Sequence, residues 1–175
     1  VLVKILPLFN YKYVLLAPTG RAAKVISSYA KRVAFTIHKR IYKTSSDKNS
    51  GLLKFKKQKN YSKNTIFIVD EASMLSESQE FGNKGLLSDL IQYVFQEKSN
   101  KLILIGDGAQ LPPVGQTISA GLNKSHLESS YGLEVHEVEL TEVMRQGQGS
   151  GILDNATNLR GELGKTDFNI KINTK

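Results

Sequence analysis

Ile66–Ser73 reads IFIVDEAS, an apolar β-rich run that ends in two adjacent carboxylates, Asp70 and Glu71. If the run is a strand, the pair sits at its carboxyl end, where open α/β sheets take their ligands. An Asp there can hold Mg2+, usually through water, and the neighbouring Glu can orient a water for attack on a γ-phosphate. By itself the pair also reads as a solvated turn or a helix N-cap. Leu104–Gly115 (LIGDGAQLPPVG) is a second apolar run, ending in Gly-Asp and followed by Gln110 and Pro112-Pro113. A neutral amide just past a strand tip can sense a γ-phosphate, because its NH2 donates and its carbonyl accepts. The two prolines stiffen the turn and offer a flat apolar surface on which a base can rest, although an ordinary Pro-rich loop has the same composition.

Two more stretches carry polar chemistry at a helix start. In Leu16–Lys24 (LAPTGRAAK) a strand runs into Pro18-Thr19-Gly20 and opens a helix at Arg21. Free N–H groups, the Thr19 hydroxyl and the close approach that Gly20 permits suit a phosphate; a plain Thr N-cap fits equally. In Thr36–Tyr42 (TIHKRIY), Thr36 and His38 form a candidate second phosphate or sugar contact, with a purely structural His38 as the alternative.

These residues need a sheet to bring them together. Tyr13–Ala17, Thr65–Val69 and Lys101–Ile105 are near-continuous apolar runs, as expected of parallel strands buried on both faces. Leu133–Leu140 (LEVHEVEL) alternates more and is predicted as a strand nearer an edge. Helical stretches are predicted at Arg21–Lys31, Thr36–Tyr42, Leu86–Gln96 and Gly151–Leu163, the third with a stripe of Leu86, Leu87, Leu90, Ile91 and Val94. Thr44–Ser50 reads as a polar loop and Gly51–Lys57 as a short edge strand. Strands alternating with helices imply an α/β fold with a mostly parallel sheet and right-handed crossovers.

Composition narrows the class. With no cysteine, the chain has no disulfide, zinc-thiolate site or iron–sulfur cluster, which suits a reducing, cytoplasmic setting. No apolar run approaches the roughly 20 residues that span a bilayer, and nothing resembles a signal peptide, so no membrane partner is expected. The formal charge is +8, with basic residues gathered between Arg21 and Lys63 and acidic ones mainly from Asp70 onward. Such a surplus is either an electrostatic footprint for nucleic acid or simply a soluble basic surface.

The motifs in order resemble a known family. DEAS followed by GDGAQLPPVG is similar to motifs II and III of superfamily 1 helicases of the RecD type, the exodeoxyribonuclease V alpha-subunit group. LAPTGRAAK resembles motif Ia, TIHKRIY the next DNA-contacting motif, and Leu140–Gln146 (LTEVMRQ) motif IV, so the resemblance runs from about Tyr13 to Gln146. It implies a three-layer RecA-like P-loop NTPase domain using ATP and Mg2+, with single-stranded DNA as partner. Asp70 would hold the metal, Glu71 would activate water, and Gln110 and Arg145 would report on the γ-phosphate, Arg145 as an arginine finger. Pro18, Thr19, Gly20, Arg21, Thr36, His38, Pro112 and Pro113 would grip the strand. The implied activity is 5′-to-3′ translocation and unwinding in repair or recombination. No nuclease constellation is present, so any nuclease activity would belong to other subunits of a helicase–nuclease complex.

One departure from the pattern is large. The family's phosphate-binding loop, G-x-x-x-x-G-K-[ST], belongs upstream of LAPTGRAAK and is absent, while Val1–Phe9 reads as the back end of the helix that would follow it, its last turn strained by Pro7. Gly164-Lys165-Thr166 copies only the motif's last residues; Leu159 stands where the earlier glycine is required. Position 1 is Val, so a domain truncated at the N-terminus is expected, with residues 1–163 a partial motor domain and 164–175 a linker or the start of a second one. The chain alone is expected to hydrolyse no ATP, and a sheet lacking the loop's strand to present an edge that pairs with another copy. Two alternatives stay open: a non-hydrolysing module that holds single-stranded nucleic acid, and a P-loop ATPase that switches protein partners.

Overall fold

The computed structural model describes residues 2–46, 53–77, 85–113, 115–116, 118–140 and 151–162. The chain divides into two compact units, Val1–Val135 and His136–Lys175. The first runs α1 (Leu2–Ile5), β1 (Lys12–Ala17), α2 (Gly20–Ala30), β2 (Ala34–Thr36), α3 (Ile37–Ile41), β3 (Tyr42–Ser46), β4 (Leu53–Lys57), β5 (Thr65–Val69), α4 (Leu86–Val94), β6 (Lys101–Leu104) and α5 (Lys124–Tyr131). Short 3-10 turns occupy Leu6–Phe9, Ala72–Met74 and Ala120–Leu122. In the second unit the described helix is α6 (Gly151–Glu162).

Four strands form a parallel sheet in the order β2-β1-β5-β6, so all their carboxyl ends lie along one edge. Successive side chains point to opposite faces, and both faces are covered. Leu16, Phe67 and Val69 pack with α3 and α4 through Ile37, Ile41, Leu87, Leu90, Ile91 and Val94. Leu15, Ile66 and Ile68 pack on the other side with Val3, Leu6, Ile26 and Ala30 from the segments around α1 and α2. That double coverage explains why β5 is apolar without alternation and buried throughout. Phe67 is fully buried edge-on to Tyr93, ring centroids 6.0 Å apart, a burial that stabilises by about 3 kcal/mol.

The predicted strands and helices of this unit are present, with three differences. Pro7 does not strain an α-helix: α1 stops at Ile5 and Pro7 sits in the first turn of a 3-10 helix, where its missing N–H is not needed. The segment predicted as an edge strand forms β4, but it pairs antiparallel with β3 in a separate two-stranded sheet, and Thr44–Ser46, read as loop, belongs to β3. Leu133–Leu140 forms no strand. Its apolar residues fall at 133 and 135 and then at 138 and 140, a one-residue slip that turns the second pair to the opposite face. Leu133 and Val135 pack on the core, whereas Val138 and Leu140 are exposed.

Helix α5 was not predicted, because Leu127 is its one buried residue and no stripe marks it. It is held instead by polar contacts. The Asn123 side chain caps it by accepting from His126 N–H at 2.9 Å, and Gly132, at φ 63°, ends it. The Glu77 carboxylate then anchors it: Tyr131 Oη donates to Oε1 at 2.6 Å, and His126 Nε2 lies 2.7 Å from the same oxygen. Burial pushes the Glu77 carboxyl up, but the Tyr131 and His126 hydrogen bonds and the His126 charge outweigh it, and the net direction is down. A folded-state value below the unfolded one gives stability that is present above the ordinary carboxylate range and lost as pH falls through the folded value. Tyr131→Phe is therefore expected to cost about 1 kcal/mol at pH 7, and the difference from wild type to shrink as Glu77 protonates. Urea unfolding at neutral and acidic pH measures both; a loss independent of pH contradicts the assignment.

Candidate nucleotide and nucleic-acid site

The shared edge collects the motifs in a fixed order. Ala17 is in register with Thr36, Leu16 with Val69, and Val69 with Leu104. From one side to the other the edge therefore carries Thr36, then Pro18-Thr19-Gly20, then Asp70-Glu71, then the loop that leads to Gln110.

Asp70 and Glu71 are half-buried, just beyond β5. Backbone bonds clamp the turn between its neighbours: Asp70 N–H donates to Leu16 O at 3.1 Å, Ile105 N–H to Val69 O at 2.8 Å and Ala72 N–H to Ile105 O at 2.8 Å. Glu71 has φ 56° and ψ 39°, the left-handed region that costs a residue with a Cβ about 1 kcal/mol. Neither carboxylate forms an ion pair among the described residues. Two hard oxygen donors at a strand tip fit Mg2+, which takes one or two protein carboxylates and completes its shell with water and substrate phosphates.

Gln110 is exposed and is held by a turn that Asp107 builds. Gln110 N–H donates to Asp107 O at 3.1 Å, and Ala109 N–H to Asp107 Oδ1 at 3.0 Å. The amide reaches back to the carboxylate loop, where Ser73 Oγ donates to Gln110 Oε1 at 3.2 Å. Pro112 and Pro113 are half-buried, and Pro113 O accepts from Gln116 N–H at 2.9 Å.

Thr19 is an N-cap: its backbone is extended and its hydroxyl oxygen accepts from Ala22 N–H at 3.2 Å. The cap uses only the hydroxyl's acceptor side, so its proton remains available to an anion. Gly20 has open space where a Cβ would stand, and Arg21 is exposed beside it. Thr36 caps α3 in the same way, through Lys39 N–H at 3.2 Å. His38 is half-buried and leans on Tyr42, ring centroids 5.7 Å apart, so it has a packing role beside any contact it makes outward. Arg145, nearly all of LTEVMRQ and Gly164–Thr166 lie outside the described residues. The sequence reading assigned no role to Ser73 or Asp107. Asp107 carried a usable signal, since an Asp two residues before a small residue favours an Asx turn.

The AAA domain family matches residues 2–171. The chain belongs to that family. Its parallel sheet with helices on both faces is the RecA-like P-loop NTPase arrangement, and the family points to nucleotide-dependent chemistry. The AAA domain is also 32% identical over 149 residues to an uncharacterized protein, R530, of Acanthamoeba polyphaga mimivirus. The match covers 74% of the chain and 27% of that protein, so this AAA domain spans about a quarter of the length of its curated relative. Among the described residues no helix is long and apolar enough to cross a membrane, and no group of three or more His, Cys, Asp or Glu side chains comes together.

Proposed function

We propose that this AAA domain is part of the first motor domain of a RecD-type DNA helicase, which couples ATP hydrolysis in the full-length protein to movement along single-stranded DNA. The observation that carries the reading is the division of one sheet edge: helix-start residues suited to phosphate on β1 and β2, carboxylates and an amide on β5 and β6. Mg2+ supplies charge neutralisation at the β- and γ-phosphates when bound. Asp70 would hold it, and Glu71 would orient the attacking water and take its proton. Gln110 donates from its NH2 to a γ-phosphate oxygen, and Arg145 adds a second donor there. Thr19, Gly20 and Arg21 bind one DNA phosphate, Thr36 and His38 a second contact, and Pro112-Pro113 a base. β1 and β5 are neighbours paired along five residues, which sets the DNA-side loop and the carboxylates next to each other on the edge.

ATPase activity of the full-length protein, with and without single-stranded DNA, tests the reading. Stimulation by DNA is the expected result. DNA binding without hydrolysis favours a binding module, to which the basic stretch Arg21–Lys63 is also suited, and an ATPase rate indifferent to DNA favours a protein-partner switch.

A further inference from the structure

Ser73 is fully buried, two residues beyond Glu71 on the same 3-10 turn. It is fixed on several sides. Its carbonyl accepts from Ser119 Oγ at 3.1 Å. A Cβ on Gly106 would lie 2.9 Å from its nitrogen, and one on Gly121 would lie 2.6 Å from the Ala72 carbonyl oxygen, so neighbouring backbone closes on this turn from two segments. From that position its hydroxyl donates to Gln110 Oε1 at 3.2 Å.

An amide presents two chemically opposite ends. If Gln110 turned its carbonyl toward a phosphate the contact would be repulsive; if it turns its NH2 the contact is a hydrogen bond to an anion. A rigid donor that occupies Oε1 leaves only the NH2 to face outward. We propose that Ser73 is a positioning residue that sets the orientation of the Gln110 amide and couples its movement to Glu71. The inference rests on the proposed role of Gln110 at the γ-phosphate. Glu71 and Ser73 belong to one turn, which Met74 N–H closes by donating to Glu71 O at 3.1 Å.

A double-mutant cycle in the full-length protein tests it, with kcat and KM for ATP measured under saturating single-stranded DNA. Ser73→Ala is expected to lower kcat about tenfold, the worth of one hydrogen bond, with KM changed less than about twofold. Gln110→Ala is expected to lower it at least as far, and the double variant to match Gln110→Ala alone, because Ser73 acts only through that amide. Losses that multiply in the double variant, or an unchanged kcat in Ser73→Ala, overturn the proposal. Ser73→Cys, which fills the same buried space with a weak donor, carries the test if the alanine variant does not fold; it is expected to lose kcat on the wild-type background and none on Gln110→Ala. A wild-type protein without DNA-stimulated hydrolysis overturns the helicase reading and this inference with it, whereas an active wild type matched by Ser73→Ala overturns the inference alone.

Discussion

In the full-length protein, Glu71→Gln is expected to lower the kcat of DNA-stimulated ATP hydrolysis by about two to four orders of magnitude, the range for loss of a positioned general base. KM for ATP should change little, because the amide keeps the shape of the side chain and Asp70, in its proposed role, would still hold Mg2+. The backbone supplies an independent argument. Glu71 stands at φ 56°, where glycine is at ease and glutamate is strained. Were the position only a turn, glycine would serve there at less conformational cost. Glu71→Gly should therefore abolish turnover without lowering the midpoint of thermal unfolding, since relief of strain offsets the entropy that glycine loses on folding. A Glu71→Gln protein that keeps its kcat removes the residue from the chemistry. A Glu71→Gly protein that unfolds several degrees earlier shows that the side chain is structural.

The parts of the fold that were legible in the sequence are those where burial alone decides the residue types. β1, β5 and β6 are covered on two faces, so their apolar runs are continuous and unmistakable. Helix α4 was legible from its apolar stripe, although burial goes beyond that stripe to Ser88, Asp89 and Tyr93. Elements made by tertiary contacts were not legible. β2 is three residues long and is a strand because β1 has a free side to pair with. Helix α5 depends on a carboxylate that comes from beyond β5. The site divided the same way. Asp70, Glu71 and Gln110 follow strands, and the pattern of strands located them. Ser73 meets Gln110, thirty-seven residues away, and no local pattern encodes that contact.

The second large effect lies at the base of the β3–β4 hairpin. Tyr42 and Lys57 stand directly opposite each other in register, and both reach Asp89 of α4. Tyr42 Oη donates to Oδ2 at 2.6 Å, and Lys57 Nζ to Oδ1 at 2.9 Å and to Gln92 Oε1 at 2.8 Å. Asp89 is fully buried, whereas the Lys57 side chain is 40% exposed. The two partners are thus unequal: without Asp89, Lys57 turns to water, but without Lys57, the fully buried Asp89 loses one of the two side-chain donors it has among the described residues. Lys57→Ala is expected to destabilise by about 3 kcal/mol, as for breaking a buried pair from one side. Asp89→Ala should cost less, because it removes the buried charge together with its bonds to Tyr42 and Lys57. The double variant should be more stable than Lys57→Ala alone, and urea unfolding of the three proteins decides it. Costs that simply add would show that the pair is not coupled. The consequence reaches the proposed DNA contact, because the His38 ring rests on Tyr42. Asp89→Ala removes one hold on that tyrosine, so on the proposed reading it is expected to weaken single-stranded DNA binding through His38.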